Sequence, residues 1–207
     1  MVFLKKIILL GDSIIDNKIY VEGNELSVTE HLNKIQNNEV IQLAVDGDTT
    51  HDVLSEQIKK IPKDATDLVL SIGGNDLLHE IDFLFQNILY KPNKALKKVG
   101  SLLSPIISRY ETIVRNLSNH RANLLLCTIY EGDLVNSDEL NSVIDSSKTM
   151  VSLFNDAIYR NGKKFKVDVL ELRDIFVSPE DYANPIEPSH IGGGKLAKAI
   201  KNWVDSE

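Results

Sequence analysis

Cysteine is almost missing from this chain: there is one in 207 residues, Cys127. An internal disulfide is therefore excluded. Cys127 sits in Asn123-Leu124-Leu125-Leu126-Cys127-Thr128-Ile129, the pattern of a buried strand, and reads as a small core residue. Positive charge is also scarce. Against 30 Asp and Glu stand 23 Lys and Arg, a formal net charge of −7. Nucleic acids and anionic membranes need clustered positive charge, so neither is expected as the main partner. No apolar run approaches the ~20 residues of a membrane span. Lys5-Lys6 followed by Ile7-Ile8-Leu9-Leu10 resembles the opening of a secretory signal, but Gly11-Asp12 cuts the run short. The expected compartment is the cytosol, and the Asn116-Leu117-Ser118 glycosylation triplet is then incidental. There is no internal repeat, low-complexity tract or linker, so one domain over residues 1–207 is expected. No His, Cys or carboxylate cluster has metal-ligand spacing, and neither metal nor cofactor is expected.

What is present is an ordinary globular composition, 43% hydrophobic and 26% charged. Five runs read as strands: Lys6–Leu10, Val40–Val45, Asp67–Ile72, Asn123–Tyr130 and Phe165–Leu172. They are apolar almost continuously, as strands covered on both faces are, which predicts a parallel sheet between helices. Ser27-Val28-Thr29-Glu30 resembles a capping box and predicts a helix to about Gln36. Weaker helical spacing joins Val53, Ile58 and Ile61. Long apolar stripes run from Leu103 to Leu117 and from Leu140 to Ile158, and Leu196, Ala199, Ile200 and Trp203 close the chain. Alternating strand and helix predict a doubly wound α/β/α layer fold with strand order 2-1-3-4-5, whose site lies beyond the strands' C-terminal ends.

Four segments fall where such a fold places its loops. Gly11-Asp12-Ser13 follows the first strand; a serine there is a candidate nucleophile that needs a base to activate it. By itself this triplet reads rather as a turn or a helix N-cap. His190, in Glu187-Pro188-Ser189-His190, is the candidate base, since imidazole titrates near neutrality. Pro188 forces Glu187 into an extended conformation. A turn through Ser189 then brings the carboxylate beside the His190 ring, where it fixes the tautomer; the alternative is a solvated loop glutamate. Asn75, in Gly73-Gly74-Asn75-Asp76, can aim an amide N–H at a developing oxyanion, and Gly47 and Ser13 can each supply a backbone N–H. Asp12, Asp46, Asp48 and Asp76 read as loop braces.

Together these blocks resemble the SGNH-hydrolase family, also called GDSL esterases and lipases, whose name marks Ser, Gly, Asn and His in four ordered blocks. The resemblance runs from about residue 6 to 203. It implies a flavodoxin-like three-layer fold with a five-stranded parallel sheet and cofactor-free hydrolysis of acyl esters. By that likeness Ser13 is the nucleophile and His190 the base, while Ser13, Gly47 and Asn75 hold the oxyanion. Two departures stand out: Gly-Asp-Ser-Ile replaces Gly-Asp-Ser-Leu, and Glu-Pro-Ser-His replaces Asp-x-x-His. A Ser13–His190 dyad without Glu187 is the alternative to the triad. The substrate implied is a small acyl ester; a non-catalytic binding protein on the same scaffold and an acyltransferase using the same acyl-enzyme are the other readings. The apolar spacing of Ile81, Leu84, Phe85 and Ile88 marks a helix that can wall an acyl pocket or simply pack on the sheet edge, and Lys91, Lys94, Lys97 and Lys98 follow it.

Overall fold

The computed structural model describes residues 4–35, 38–79, 92–133 and 144–207. Five parallel strands form one sheet: β1 (Lys6–Gly11), β2 (Glu39–Gln42), β3 (Asp67–Ser71), β4 (Asn123–Cys127) and β5 (Asp168–Leu170). Their order is β2-β1-β3-β4-β5, as the strand and helix alternation predicts. β1 runs one residue past its apolar run, to Gly11, while β2, β3, β4 and β5 end before theirs do. After Gln42 the chain leaves the sheet, with the amides of Leu43 and Ala44 both bonded to the Leu9 carbonyl. After Cys127 and Ser71 it turns into loops at the same end of the sheet. The tails of the apolar runs therefore build the rim of the fold.

Helices cover both faces. α1 (Val28–Ile35) begins at a true capping box: the Glu30 amide donates to Ser27 Oγ at 3.2 Å and the Ser27 amide to Glu30 Oε2 at 2.8 Å. α2 (Thr50–Asp52) passes at once into a π turn (Val53–Gln57) and a 3₁₀ turn (Ile58–Lys60). α3 (Pro92–Ser118), α4 (Ile144–Phe165) and α5 (His190–Ser206) are the long helices among the described residues. The expected helix around Ile81 to Ile88, with Lys91, lies outside the described residues, as do Leu140 and Val143.

Alternation along β1 assigns the two faces. Ile8 and Leu10 pack with α3 and α4 residues such as Tyr110, Ile113, Phe154 and Ile158. Ile7 and Leu9 pack with Val28 and Leu32 of α1 and Leu196, Ile200 and Val204 of α5. The result is a three-layer α/β/α sandwich with a core on each side of the sheet. Cys127 is buried, and its thiol is pushed up to about 12 by that burial, as an inert core thiol should be. No helix among the described residues is long and apolar enough to cross a membrane.

Two glycines are required where strands meet the rim. Gly11 has φ +140°, and a Cβ there would stand 1.8 Å from the Ser71 carbonyl oxygen of the neighbouring strand. Gly73 has φ +122°, and a Cβ would stand 2.4 Å from the Phe154 ring. Phe154 is fully buried and meets Tyr110 edge to face, with ring centroids 5.3 Å apart. Truncation of Phe154 to alanine removes this contact and opens a void under Gly73. A loss of about 3–5 kcal/mol is expected, read as a lower urea midpoint at unchanged m-value.

Candidate active site

The site is built at the C-terminal edge of β1 and β3, beside the point where the strand order reverses. Asp12 follows Gly11 and folds the next turn around itself. Its carboxylate accepts from the Ile14 amide at 3.1 Å, and its carbonyl accepts from the amides of Ile15 and Asp16. The Ser13 amide is not among the donors this turn consumes. Ser13, Asn75 and Glu187 line one cavity of about 460 Å³. Its walls are otherwise largely apolar, with Ile14, Leu77, Ile129, Tyr130, Val151 and Ile186.

Asn75 lies in a helical segment that begins at residue 74. Its side-chain Nδ2 donates to the Asp48 carbonyl at 2.9 Å, and a second N–H on the same nitrogen remains to be offered elsewhere. Below it, buried Asp76 accepts from the Thr50 amide at 2.7 Å, from Thr50 Oγ1 at 2.6 Å and from Arg109 Nη2 at 3.1 Å. This network ties the β3 loop to α2 and α3. Gly47 occupies an exposed turn and is not part of the cavity lining. That turn is held by Tyr20, whose hydroxyl donates to Asp46 Oδ1 at 3.0 Å, and by the Asp46 amide, which donates to Asp16 Oδ2 at 3.0 Å.

The structure does not bring His190 to Ser13. Ser189 caps α5, its hydroxyl accepting from the amides of Ile191 and Gly192, so His190 is the first residue of that helix. From there its ring faces α1. Nδ1 accepts from the Leu26 amide at 2.9 Å and lies 3.0 Å from His31 Nε2, with the two rings 4.5 Å apart. His31 Nε2 also lies 3.0 Å from the His190 carbonyl, which it can serve as donor. Burial, and then the neighbouring His190, lower the His31 pKa. His190 does not line the cavity, and among the described residues its ring has no hydrogen bond with Ser13 or Glu187. His31, which has no such setting in the sequence, turns out to be its partner.

Glu187 takes the place at the serine. The Glu187 side chain, and not His190, shares the cavity with Ser13. Glu187 is 6% exposed, and its Oε2 has no hydrogen-bond partner among the described residues. Burial raises its pKa to about 7, with the Ser13 hydroxyl pulling down and the Asp46 charge pushing up. Asp12 is raised further, to about 8, by burial against the opposing pull of the Ile14 amide, and the charges of Glu187 and Asp76 add to the rise. Its Oδ2 is likewise unpartnered. Two carboxyl groups with elevated pKa values thus flank one serine.

The turn that carries Glu187 is tightly held. Asn184 Oδ1 accepts from the amides of Ile186 and Glu187, each at 3.0 Å. The Tyr130 hydroxyl donates to the Ile186 carbonyl at 2.6 Å, and the Ala183 amide donates to the Glu187 carbonyl at 2.8 Å. Fully buried Asn17 donates to the Pro188 carbonyl at 3.0 Å. Asn184 and Asn17 were not singled out by the sequence; neither sits in a pattern that separates it from any other loop asparagine. Among the described residues no group of three or more His, Cys, Asp or Glu is placed to hold a metal ion.

A model of the GDSL-like lipase/acylhydrolase family matches residues 9–190. The chain belongs to that family. An uncharacterized protein of Bacillus subtilis strain 168, YpmR, is 25% identical over 217 residues, covering 96% of this chain and 80% of that protein. Among solved structures, a lipase from a goat rumen metagenome superposes with a TM-score of 0.69 at 19% identity, covering 96% of both chains. The extracellular lipase of Streptomyces rimosus gives 0.69 at 13% identity, covering 96% of this chain and 99% of that one. The acetylxylan esterase Axe2 of Geobacillus stearothermophilus gives 0.66 at 16%, covering 98% and 95%. At these identities the solved structures share the fold with this member of the family.

The buried carboxyls make stability depend on pH. Asp12 binds its proton more tightly folded than unfolded, because its pKa rises from 3.8 to about 8 on folding. The stability this adds is fully present below about pH 4 and is lost as pH rises toward 8. Glu187 acts in the same direction up to about 7. Urea stability of the wild type is expected to decline across this range, other titrating groups being common to both proteins, more steeply than that of Asp12→Asn. Parallel curves for the two would remove Asp12 as a cause.

Proposed function

We propose that this GDSL-family hydrolase cleaves carboxylic esters through an acyl-enzyme formed on Ser13. The observation that carries the reading is the position of Ser13: it stands with Glu187 at the wall of a mostly apolar cavity that Asn75 also lines. The cavity receives the acyl portion of the substrate. Ser13 Oγ attacks the acyl carbon, the alcohol departs, and water releases the acid and regenerates the serine. The Asn75 side chain and the Ser13 amide serve the developing oxyanion; a donor of this kind contributes about 3 kcal/mol in serine hydrolases. Gly47 belongs to the adjoining turn, whose Asp48 carbonyl steadies Asn75, and stands outside the cavity lining.

One observation favours a second reading, a protein that binds an acyl ligand without turning it over. No imidazole touches the Ser13 hydroxyl among the described residues. A fluorophosphonate probe separates the two, because only an activated serine is labelled.

Short p-nitrophenyl esters provide the test. Wild type is expected to hydrolyse them and to be labelled at Ser13, and Ser13→Ala to lose roughly 10³-fold or more in kcat/KM. Equal rates in wild type and Ser13→Ala would remove Ser13 from the chemistry. Tight binding of a fatty acid with neither labelling nor turnover would establish the second reading.

A further inference from the structure

We propose that Glu187, and not His190, is the base that takes the proton from Ser13. This inference rests on the ester-hydrolase reading above and names the group that activates its nucleophile.

Geometry supplies the first argument. A general base must lie within hydrogen-bond reach of the proton it removes. Glu187 lines the same cavity as Ser13, whose hydroxyl acts on its carboxyl. His190 does not line that cavity, and its ring is engaged by the Leu26 amide and His31. Rotating its side chain would break both contacts. Moving its backbone would unseat the Ser189 cap and the Ser189 amide, which donates to the Asp181 carbonyl at 2.9 Å. Asp181 is fully buried and is itself fixed by Lys195 at 2.6 Å and by the amides of Val177 and Ser178.

Rigidity supplies the second argument. Asn184, Ala183, Tyr130 and Asn17 each bond the segment that carries Glu187. That frame fixes the backbone from which the Glu187 side chain enters the cavity of Ser13.

Basicity supplies the third. An ordinary glutamate is too weak a base for this task at neutral pH. Burial strengthens this one, placing its pKa at about 7. The titratable groups that face it are Asp12 and Asp46, Tyr20 and Tyr130, all of which interact with its charge. Glu131 and His79 line the same cavity. Among the described residues no lysine or arginine lines that cavity to pull the carboxyl back down.

The step balances without a co-reactant. Ser13 Oγ bonds to the acyl carbon while its proton passes to the Glu187 carboxylate, and the carbonyl electron pair moves onto the oxygen. Collapse of that intermediate breaks the bond to the alcohol oxygen, which takes the proton from the Glu187 carboxyl. Water then attacks the acyl-enzyme, giving its proton to Glu187. Ser13 recovers that proton as the acid leaves.

The test is kcat/KM for a short p-nitrophenyl ester from pH 4.5 to 9, with the rate of fluorophosphonate labelling as a second readout. The variants are Ser13→Ala, Glu187→Gln, Glu187→His and His190→Asn, each checked for folding by urea titration. Expected for the wild type is a rate that rises with pH through about 7, as the base ionises. Glu187→Gln should lose 10²–10⁴-fold in both readouts and lose that pH dependence. Glu187→His, which returns a base to the same backbone position, should recover at least tenfold over Glu187→Gln. His190→Asn should lose no more than about tenfold and keep the wild-type pH profile. A Ser13-dependent enzyme in which His190→Asn falls as far as Ser13→Ala while Glu187→Gln stays near wild type would overturn this proposal alone. A wild type that neither labels nor needs Ser13 would instead overturn the ester-hydrolase reading, and this inference with it.

Discussion

A buried carboxamide joins the first loop of the chain to the last. Asn17, four residues beyond the serine, donates to the Pro188 carbonyl and accepts from the Val28 amide at the start of α1. Its bonds span 171 and 11 residues of sequence. A buried amide that satisfies two separate segments cannot be exchanged for an apolar group without leaving both unpaired. Through it, β1, α1 and the turn before α5 share one geometry. The meeting of Ser13 with Glu187 is a consequence of that shared geometry, since neither residue's immediate neighbours in sequence would bring it about.

The parallel sheet does the rest of the positioning. Its strand ends all open on one side, so the loops after β1, β3 and β4 reach the same cavity without long excursions. Neighbouring loops then brace each other with short polar side chains. Asp76 holds Thr50 and Arg109, Asp46 holds Tyr20, and Asp48 offers its carbonyl to Asn75. This acidic rim leaves little positive charge near the serine. Burial then outweighs the amide and hydroxyl groups that pull the two innermost carboxyls down, and both retain protons to unusually high pH.

Much of this was legible in the sequence. Continuous apolar runs identified all five strands, since a strand buried on both faces has no polar side to show. The capping box at Ser27 and Glu30 was readable because it is a local motif with fixed spacing. The serine loop and the Asn75 loop were readable because glycines mark strand ends where chains approach closely. The reading failed where spacing along the chain had to stand for direction in space. Glu187 and His190 are three residues apart, and a turn through Ser189 was expected to bring them together. Ser189 instead caps a helix, and the change from extended chain to helix sends the two side chains to different neighbours. The signal was present: a serine followed by a glycine-containing helical stretch is itself an N-cap pattern. The contact between His31 and His190 had no such signal, because it depends on how α1 crosses α5.

Gln57 shows how finely one local irregularity is used. It closes the π turn after α2, and its side chain pairs with both the amide and the carbonyl of Gly11, at 2.9 and 2.8 Å, while also donating to Asp48 Oδ2 at 2.7 Å. A side-chain amide here imitates a strand's peptide group and fills the wedge where β1 and β2 diverge. A regular α-helical path through Val53–Gln57 would carry Gln57 about 100° around the helix axis and away from that wedge. The irregular turn is thus a spacer of fixed length. Insertions and deletions that α-helices elsewhere in the chain can absorb by sliding would, at this one place, unfasten the edge of the sheet from the loop that carries the serine.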